Sequence, residues 1–550
     1  MYRNTSFLLV NRQSWYQAER RVHDMGQFVN PDSSAFKSAY KDRIYVDKSG
    51  LMNFTNEILG TPSGFICNSR PRRFGKSMTA NMLTAYYSKG ADSRDLFSSL
   101  KISSSSDWEE HLNKYDVIHL DIQWCINPAG GVEKVISYIE REVIAELKEY
   151  YPDCVRDDDK SLPAVLARIN KETKNQFVVI IDEWDVLIRD DANNHKIQEE
   201  YISFLRGLFK GSEPTKYMAL AYMTGILPIR RQKTQSALNN FDEYTMLQPG
   251  PFAEYVGFTE EEVKSLSDRY CVSFEETKRW YDGYLLKGRH IYNPKAVVRV
   301  MLTGEFTNYW SDTASFELIV PLINMNYDGL QENIIQMLSS VEVPVDTGYF
   351  QNDVVSFSSK DDVMTYLIHL GYLGYNEKKK TAFIPNEEVR DAMRRAVRSK
   401  KRSKYIEWIG ESESLLTATL LLDESAVASK IEMVHDKYIS VIKYNDENSL
   451  ASVITLAYLA TMDDYFDPVR ELPSGKGFAD IVYIPKPERR GDSPALVIEL
   501  KWNKDSESAI DQIREKKYPD SIKEYTDNIL LVGINYDKKT KKHECSIEKL

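Results

Sequence analysis

Short apolar runs alternate with helical stretches from about residue 35 to Pro249. Phe65-Ile66-Cys67, Val117-Ile118-His119-Leu120, Phe177 to Ile181 and Met218 to Met223 are continuous and bounded by polar segments, as buried strands are. Val135, Ile136, Ile139, Val143, Ile144 and Leu147 recur on one helical face between the second and third runs. Strands separated by helices predict a parallel α/β sheet. The first thirty or so residues show no period, and structured chain is expected to begin between Ala35 and Lys48. From about Phe252 to Lys404 helical patterns dominate. Beyond Ile406 a helical stretch leads to strand-like runs at Pro468–Leu472, Ala479–Ile484, Ala495–Trp502 and Asn528–Asn535.

Composition narrows the class. The 550 residues are 42% apolar and 28% charged, ordinary globular usage for several domains. Lys+Arg 71 against Asp+Glu 82 gives a net charge of −11, so any nucleic-acid contact must come from a local patch. One candidate is Arg394 to Lys404, with seven Lys/Arg and no acid. Five cysteines without a Cys-x-x-Cys pair, and histidines without His-x-x-x-His, argue against a disulfide framework or a zinc site. Free thiols suit a reducing compartment, and no run approaches a membrane span, so the expected location is cytoplasmic with no membrane partner.

The clearest chemistry is Arg70-Pro71-Arg72-Arg73-Phe74-Gly75-Lys76-Ser77-Met78, which follows a strand and opens a helix. Strand, loop, Gly-Lys-Ser and helix form a phosphate cradle: backbone N–H groups face the phosphates, Lys76 reaches the β/γ-phosphates and Ser77 ligates Mg²⁺. Arg70 stands where the first glycine belongs, and Arg72 and Arg73 add positive charge. The Phe177–Ile181 strand ends in Asp182-Glu183, the Walker B arrangement. Asp182 is assigned to the Mg²⁺ shell and Glu183 to the attacking water. The strand Met218–Met223 ends in Thr224, a candidate γ-phosphate sensor; Arg230 and Arg231 are candidate arginine fingers.

A second set lies near the end of the chain. Asp480 opens one strand, and Glu499 and Lys501, two apart on the next, share a face. Two carboxylates with a lysine can hold Mg²⁺ (or Mn²⁺) and cleave a phosphodiester. The bland alternative is a cross-strand Glu–Lys pair on a surface. Glu447, at a helix start, and Gln512, on the following helix, are the accessory candidates, Glu447 for the metal and Gln512 for catalysis.

These motifs, with Tyr45-Val46-Asp47-Lys48-Ser49, Ile181 to Asp185, Thr224 to Ile229, Ser236 to Phe241, Gly257-Phe258-Thr259, Trp280 to Tyr284, Tyr292-Asn293-Pro294 and Pro385 to Val389, resemble the bacterial AAA-ATPase-like family with a C-terminal PD-(D/E)XK nuclease-like domain. In that family the arginine at position 70 is the usual residue, whereas Pro228 stands where many members carry arginine. The resemblance implies a P-loop NTPase parallel sheet, a helical middle domain and a restriction-endonuclease-like α/β domain. The expected division is a 1–34 extension, a 35–250 AAA-like ATPase, a 251–404 middle domain and a 405–550 nuclease-like domain. ATP and Mg²⁺ are the expected cofactors, with DNA ahead of RNA as partner; homo-oligomerisation is left open. Defence or mobile-element biology is the expected setting, with ATP gating the nuclease. The competing expectation is an ATP-switched binding module whose nuclease fold is inactive.

Overall fold

A computed structural model of the chain describes residues 26–189, 194–229, 238–309, 320–323, 327–348, 350, 357–398, 404–438, 447–466, 468–474, 477–486, 489–515, 522 and 528–550. Arg230, Arg231, Ser236, Ala237 and residues 399–403 of the basic run before Lys404 lie outside these residues. Its contacts form two compact units: Met1–Asp312 with Pro344–Val389, and Thr313–Val343 with Arg390–Leu550.

The first unit is built on five strands: β1 (Phe65–Ser69), β2 (Asp116–Asp121), β3 (Phe177–Asp182), β4 (Met218–Gly225) and β5 (Asp242–Tyr244). Their order is β2-β3-β4-β1-β5, all parallel. The four apolar runs are β1 to β4; the short, polar β5 carries no comparable signal. Every second strand residue faces one core. Phe65, Cys67, Ile118, Leu120, Val179, Ile181, Ala221 and Met223 pack with helices α2 (Val135–Tyr150), α3 (Leu162–Thr173) and α5 (His195–Phe209). On the opposite face lies α1 (Lys76–Tyr87), where the Thr84 hydroxyl meets His119 Nδ1 at 2.9 Å. A short helix α4 (Val186–Arg189) follows β3.

The described residues just ahead of Ala35 pack on this unit. Val29 bridges Ile118 on the sheet edge, and Glu146 Oε2 accepts from Val29 N at 2.7 Å and Phe28 N at 2.9 Å. An edge strand leaves unpaired backbone groups, and this segment covers some of them.

After β5, α6 (Glu260–Tyr270), α7 (Phe274–Tyr281) and α8 (Pro294–Thr303) enclose the hairpin β6 (Tyr284–Leu286) and β7 (Arg289–Tyr292) around Val263, Tyr281, Tyr292 and Val297. Thr259 and Glu262 form a capping box on α6, and Asn293 caps α8. His290 Nδ1 and Asp282 Oδ2, 2.7 Å apart, pin the hairpin to the end of α7.

Two imidazoles, the buried His369 and the partly buried His119, give this unit a pH dependence. Burial pushes His119 and His369 down to about 4. The unfolded chain therefore binds more protons than the folded one between about pH 6.5 and 4, and stability falls as pH falls through that window. The loss is on the order of 3 kcal/mol for each histidine at the acid end. Urea unfolding at pH 7 and pH 5 checks this: the midpoint is expected to be lower at pH 5, and replacing His119 with Asn should reduce that difference.

The second unit is a mixed sheet of β8 (Val469–Ser474), β9 (Gly477–Tyr483), β10 (Ala495–Trp502), β11 (Ile529–Asp537) and β12 (Lys542–Lys549) in sequential order. Only β10 and β11 pair in parallel. One face packs on helices α9 (Lys404–Leu420), α10 (Glu424–Tyr438) and α11 (Glu447–Ala457) through Ile498, Leu500, Val532 and Ile534. The other packs on α12 (Ser506–Glu515) through Val497, Leu531, Ile510 and Ile513. The expected strands are β8 to β11; β12 is an added antiparallel edge. Gly533 lets α12 sit against β11, since a Cβ there would lie 2.3 Å from Ser506 O. Among the described residues no helix is long and apolar enough to cross a membrane.

Candidate functional site

The loop between β1 and α1 borders a cleft of about 780 Å³. Gly75 caps α1 at φ 93, a left-handed conformation that a side chain resists, and open space lies where a Cβ would be. The loop and the N-terminus of α1 therefore present backbone to the cleft, which suits phosphate. Arg72, Arg73, Lys76, Ser77 and Met78 line it. Phe74 is 1% exposed and packs edge-on against Tyr284 at 5.3 Å, fixing the loop to the β6–β7 hairpin. Arg73 Nη1 donates to Tyr309 O at 2.5 Å. Across the cleft lie apolar Ile44, Val46, Phe258 and Val298, a surface fit for a nucleotide base.

The carboxylates arrive from β3. β4 lies between β3 and β1, and the register places Asp182 beside Thr224 and Thr224 beside Asn68. Asp182 is 3% exposed; burial pushes it up to about 6, against a hydrogen bond from Ser77 and the Lys76 charge, which pull it down. A hydroxyl and a buried, cation-seeking carboxylate fit a divalent metal of the hard, oxygen-binding kind. Glu183 holds a positive φ of 50, a strained conformation for a residue with a side chain. Its carboxylate lies 3.8 Å from Lys76 Nζ and 3.5 Å from Arg189 Nη1. Lys76 Nζ also donates to Pro71 O at 3.3 Å.

At two of the expected nucleotide contacts, Arg70 and Thr224, the polar group is bonded to carbonyls of the protein itself. Arg70 is fully buried, and its guanidinium donates to the carbonyls of Ser69 (2.9 Å), Tyr244 (3.2 Å) and Phe252 (3.3 Å). It ties the start of the loop to β5 and the turn beyond it. Burial lowers its pKa to about 10, still charged at neutral pH. Arg70→Ala is expected to cost about 2–4 kcal/mol of stability, from orphaned carbonyls and a cavity. Unfolding midpoints and ATP affinity measured together check this; a phosphate-binding Arg70 would instead lose affinity at unchanged stability. Thr224 is also fully buried and donates to Asn68 O at 3.0 Å. The sequence pattern assigns no role to Asp121 and Arg189, which line the cleft, and Asp185, which supports it, enters only as part of the Ile181 to Asp185 motif. Asp185 is fully buried and accepts from Ile226 N (3.2 Å), Leu227 N (2.9 Å) and Arg189 Nη1 (3.1 Å). The four-residue spacing from Asp185 to Arg189 was the available signal.

The second set converges on β9, β10 and α12. The β9–β10 register runs from Tyr483↔Leu496 to Ile481↔Ile498. The next position belongs to Asp480, whose carboxylate accepts from Leu500 N at 2.7 Å in place of a strand carbonyl. Glu499 and Lys501, 2% and 5% exposed, are joined by a 2.9 Å bond from Lys501 Nζ to Glu499 Oε1. Gln512 on α12 accepts from Lys501 Nζ at 2.7 Å and donates to Glu499 Oε1. The pair is therefore buried, not surface decoration. Two carboxylates at one end of a strand pair again suit Mg²⁺ or Mn²⁺. Glu447 opens α11, but its side chain lies outside the described residues.

The two units thus define a P-loop ATPase fold and a fold of the metal-dependent nuclease kind. Residues 34–234 match the family model described as Predicted AAA-ATPase, and residues 445–545 match that of the PD-(D/E)XK nuclease superfamily. The chain carries an AAA-ATPase-like domain and a C-terminal PD-(D/E)XK nuclease superfamily domain. It is 25% identical over 291 residues to the "Uncharacterized protein in vnfD 5'region" of Azotobacter chroococcum mcd 1, covering 51% of this chain and 53% of that protein. The chain spans about half the length of this curated relative. The solved Aeropyrum pernix ORC2 protein (ADPNP–ADP complexes) aligns with 66% of this chain and 98% of its own at 12% identity and a TM-score of 0.25.

Proposed function

We propose that the protein binds and hydrolyses ATP in the cleft at Gly75–Met78 and cleaves nucleic acid, DNA ahead of RNA, at Asp480, Glu499 and Lys501. The observation that supports the first half most is the joining of Lys76, Ser77 and Glu183 at one cleft, with Asp182 hydrogen-bonded to Ser77. Lys76 exchanges its contacts with Pro71 and Glu183 for the β/γ-phosphates. Ser77 and Asp182 would hold Mg²⁺, which when bound offsets phosphate charge. Glu183 takes the proton of a water as its oxygen bonds to the γ-phosphorus; the bond to the β–γ bridging oxygen breaks and ADP leaves.

In the second unit Asp480 and Glu499, with Glu447 as a further ligand, would hold Mg²⁺ or Mn²⁺, which when bound polarises the scissile phosphate and lowers the pKa of water. Lys501, set by Glu499 and Gln512, orients that water and offsets charge as one phosphorus–oxygen bond forms and the other breaks. Gating of the nuclease by ATP belongs to the same reading, as do a prokaryotic cytoplasmic setting in defence or mobile-element biology and self-association. ATP-dependent change in cleavage rate tests the gating: equal rates with and without ATP would remove it. Cleavage itself is tested with Mg²⁺ or Mn²⁺ on plasmid and single-stranded DNA.

A further inference from the structure

We infer that Arg189 is a positioning residue for the general base Glu183, and this rests on the ATPase reading above. Three features support it. Arg189 lies at the edge of the cleft, yet its side chain is only 5% exposed. Its Nη1 sits 3.5 Å from Glu183 Oε2 and 3.1 Å from Asp185 Oδ2, so one guanidinium links the base to a fully buried acid. Asp185 in turn accepts the backbone N–H groups of Ile226 and Leu227, just past the end of β4. Gly225 makes room for this anchor, because a Cβ there would lie 2.4 Å from Asp185 Oδ1 and 2.7 Å from the Trp184 ring.

The two cations on Glu183 have different fates. Lys76 holds the other oxygen, Oε1, at the longer distance of 3.8 Å. Phosphate binding draws Lys76 away, because a charge-assisted contact to phosphate is the stronger one. Arg189 is fixed by Asp185, just ahead of its own helix, and stays. It then keeps the Glu183 carboxylate oriented toward the attacking water, beyond the constraint set by the positive φ at Glu183. Placement of this kind is the general route by which a residue that never touches substrate changes a rate.

The test is steady-state ATP hydrolysis together with ATP binding, on the full chain. Arg189→Gln keeps a donor for Asp185 but removes the charge facing Glu183. It is expected to lower kcat by about 10–100-fold, leaving ATP affinity within about threefold. Arg189→Ala should fall further, and added guanidinium should restore part of its kcat. A purely structural role would lower the unfolding midpoint without a change in kcat per folded molecule and without rescue by guanidinium. A folded Arg189→Gln protein with wild-type kcat would overturn the inference while leaving ATP hydrolysis by the wild-type chain intact. A wild-type chain that binds ATP without turnover would overturn both the role of Glu183 and this inference. A chain that does not bind ATP would overturn the reading beneath them.

Discussion

The Lys76→Ala protein is expected to lose ATP binding by about 10²–10³-fold and hydrolysis with it. Lys76 is 4% exposed and enters the cleft from the first turn of α1, beside two acids. Its ammonium is the charge that the phosphates of ATP would meet in place of Glu183 and the Pro71 carbonyl. Removing it leaves Asp182 and Glu183 facing the γ-phosphate with less opposing charge. Repulsion then adds to the lost contact. Titration with a fluorescent ATP analogue measures the affinity. The Glu183→Gln protein separates the roles: it should still bind ATP and fail to turn it over, because only proton acceptance is lost. Equal binding by Lys76→Ala and the wild-type chain would remove the cleft as the nucleotide site.

Glu499→Gln is expected to lower cleavage by about 10²–10³-fold or more, since it removes charge from the metal-binding pair without changing side-chain size. Glu499 is buried against Lys501 and Gln512, so its carboxylate is held in one place. Mn²⁺ titration of the same protein should show weaker binding. Lys501→Met provides the contrast. It should keep Mn²⁺ binding and lose cleavage, because the lysine acts on water and charge rather than as a ligand. Equal loss of metal binding in both proteins would instead place Lys501 in the structural support of the acids.

Much of this was legible in the chain. The four buried strand runs are β1 to β4, because a parallel strand covered on both faces is apolar throughout. The loop, the Asp182-Glu183 pair and the Glu499-x-Lys501 spacing are local patterns, and periodicity places them at strand ends. The positions of Arg70 and Thr224 were not legible. Each has a polar group that a phosphate could use, but a carbonyl from a distant segment claims it first: Tyr244 and Phe252 for Arg70, Asn68 for Thr224. Such choices depend on tertiary contacts between segments far apart in sequence. The same holds for residues 26–30, whose edge pairing needs Glu146, and for Asp185, whose backbone partners Ile226 and Leu227 lie just past the end of β4. β12 escaped notice because alternating polar residues on an edge strand resemble a solvated tail.

The central claim is that one chain joins an ATP site to a working metal-dependent nuclease. Its most direct test is cleavage of plasmid and single-stranded DNA by the full chain with Mg²⁺ or Mn²⁺, with and without ATP, beside Glu499→Gln and Lys76→Ala. The account predicts metal-dependent cleavage that disappears in Glu499→Gln and changes with ATP only when Lys76 is present. Cleavage that persists in a folded Glu499→Gln protein, or none by a wild-type chain that binds ATP and Mn²⁺, would contradict it.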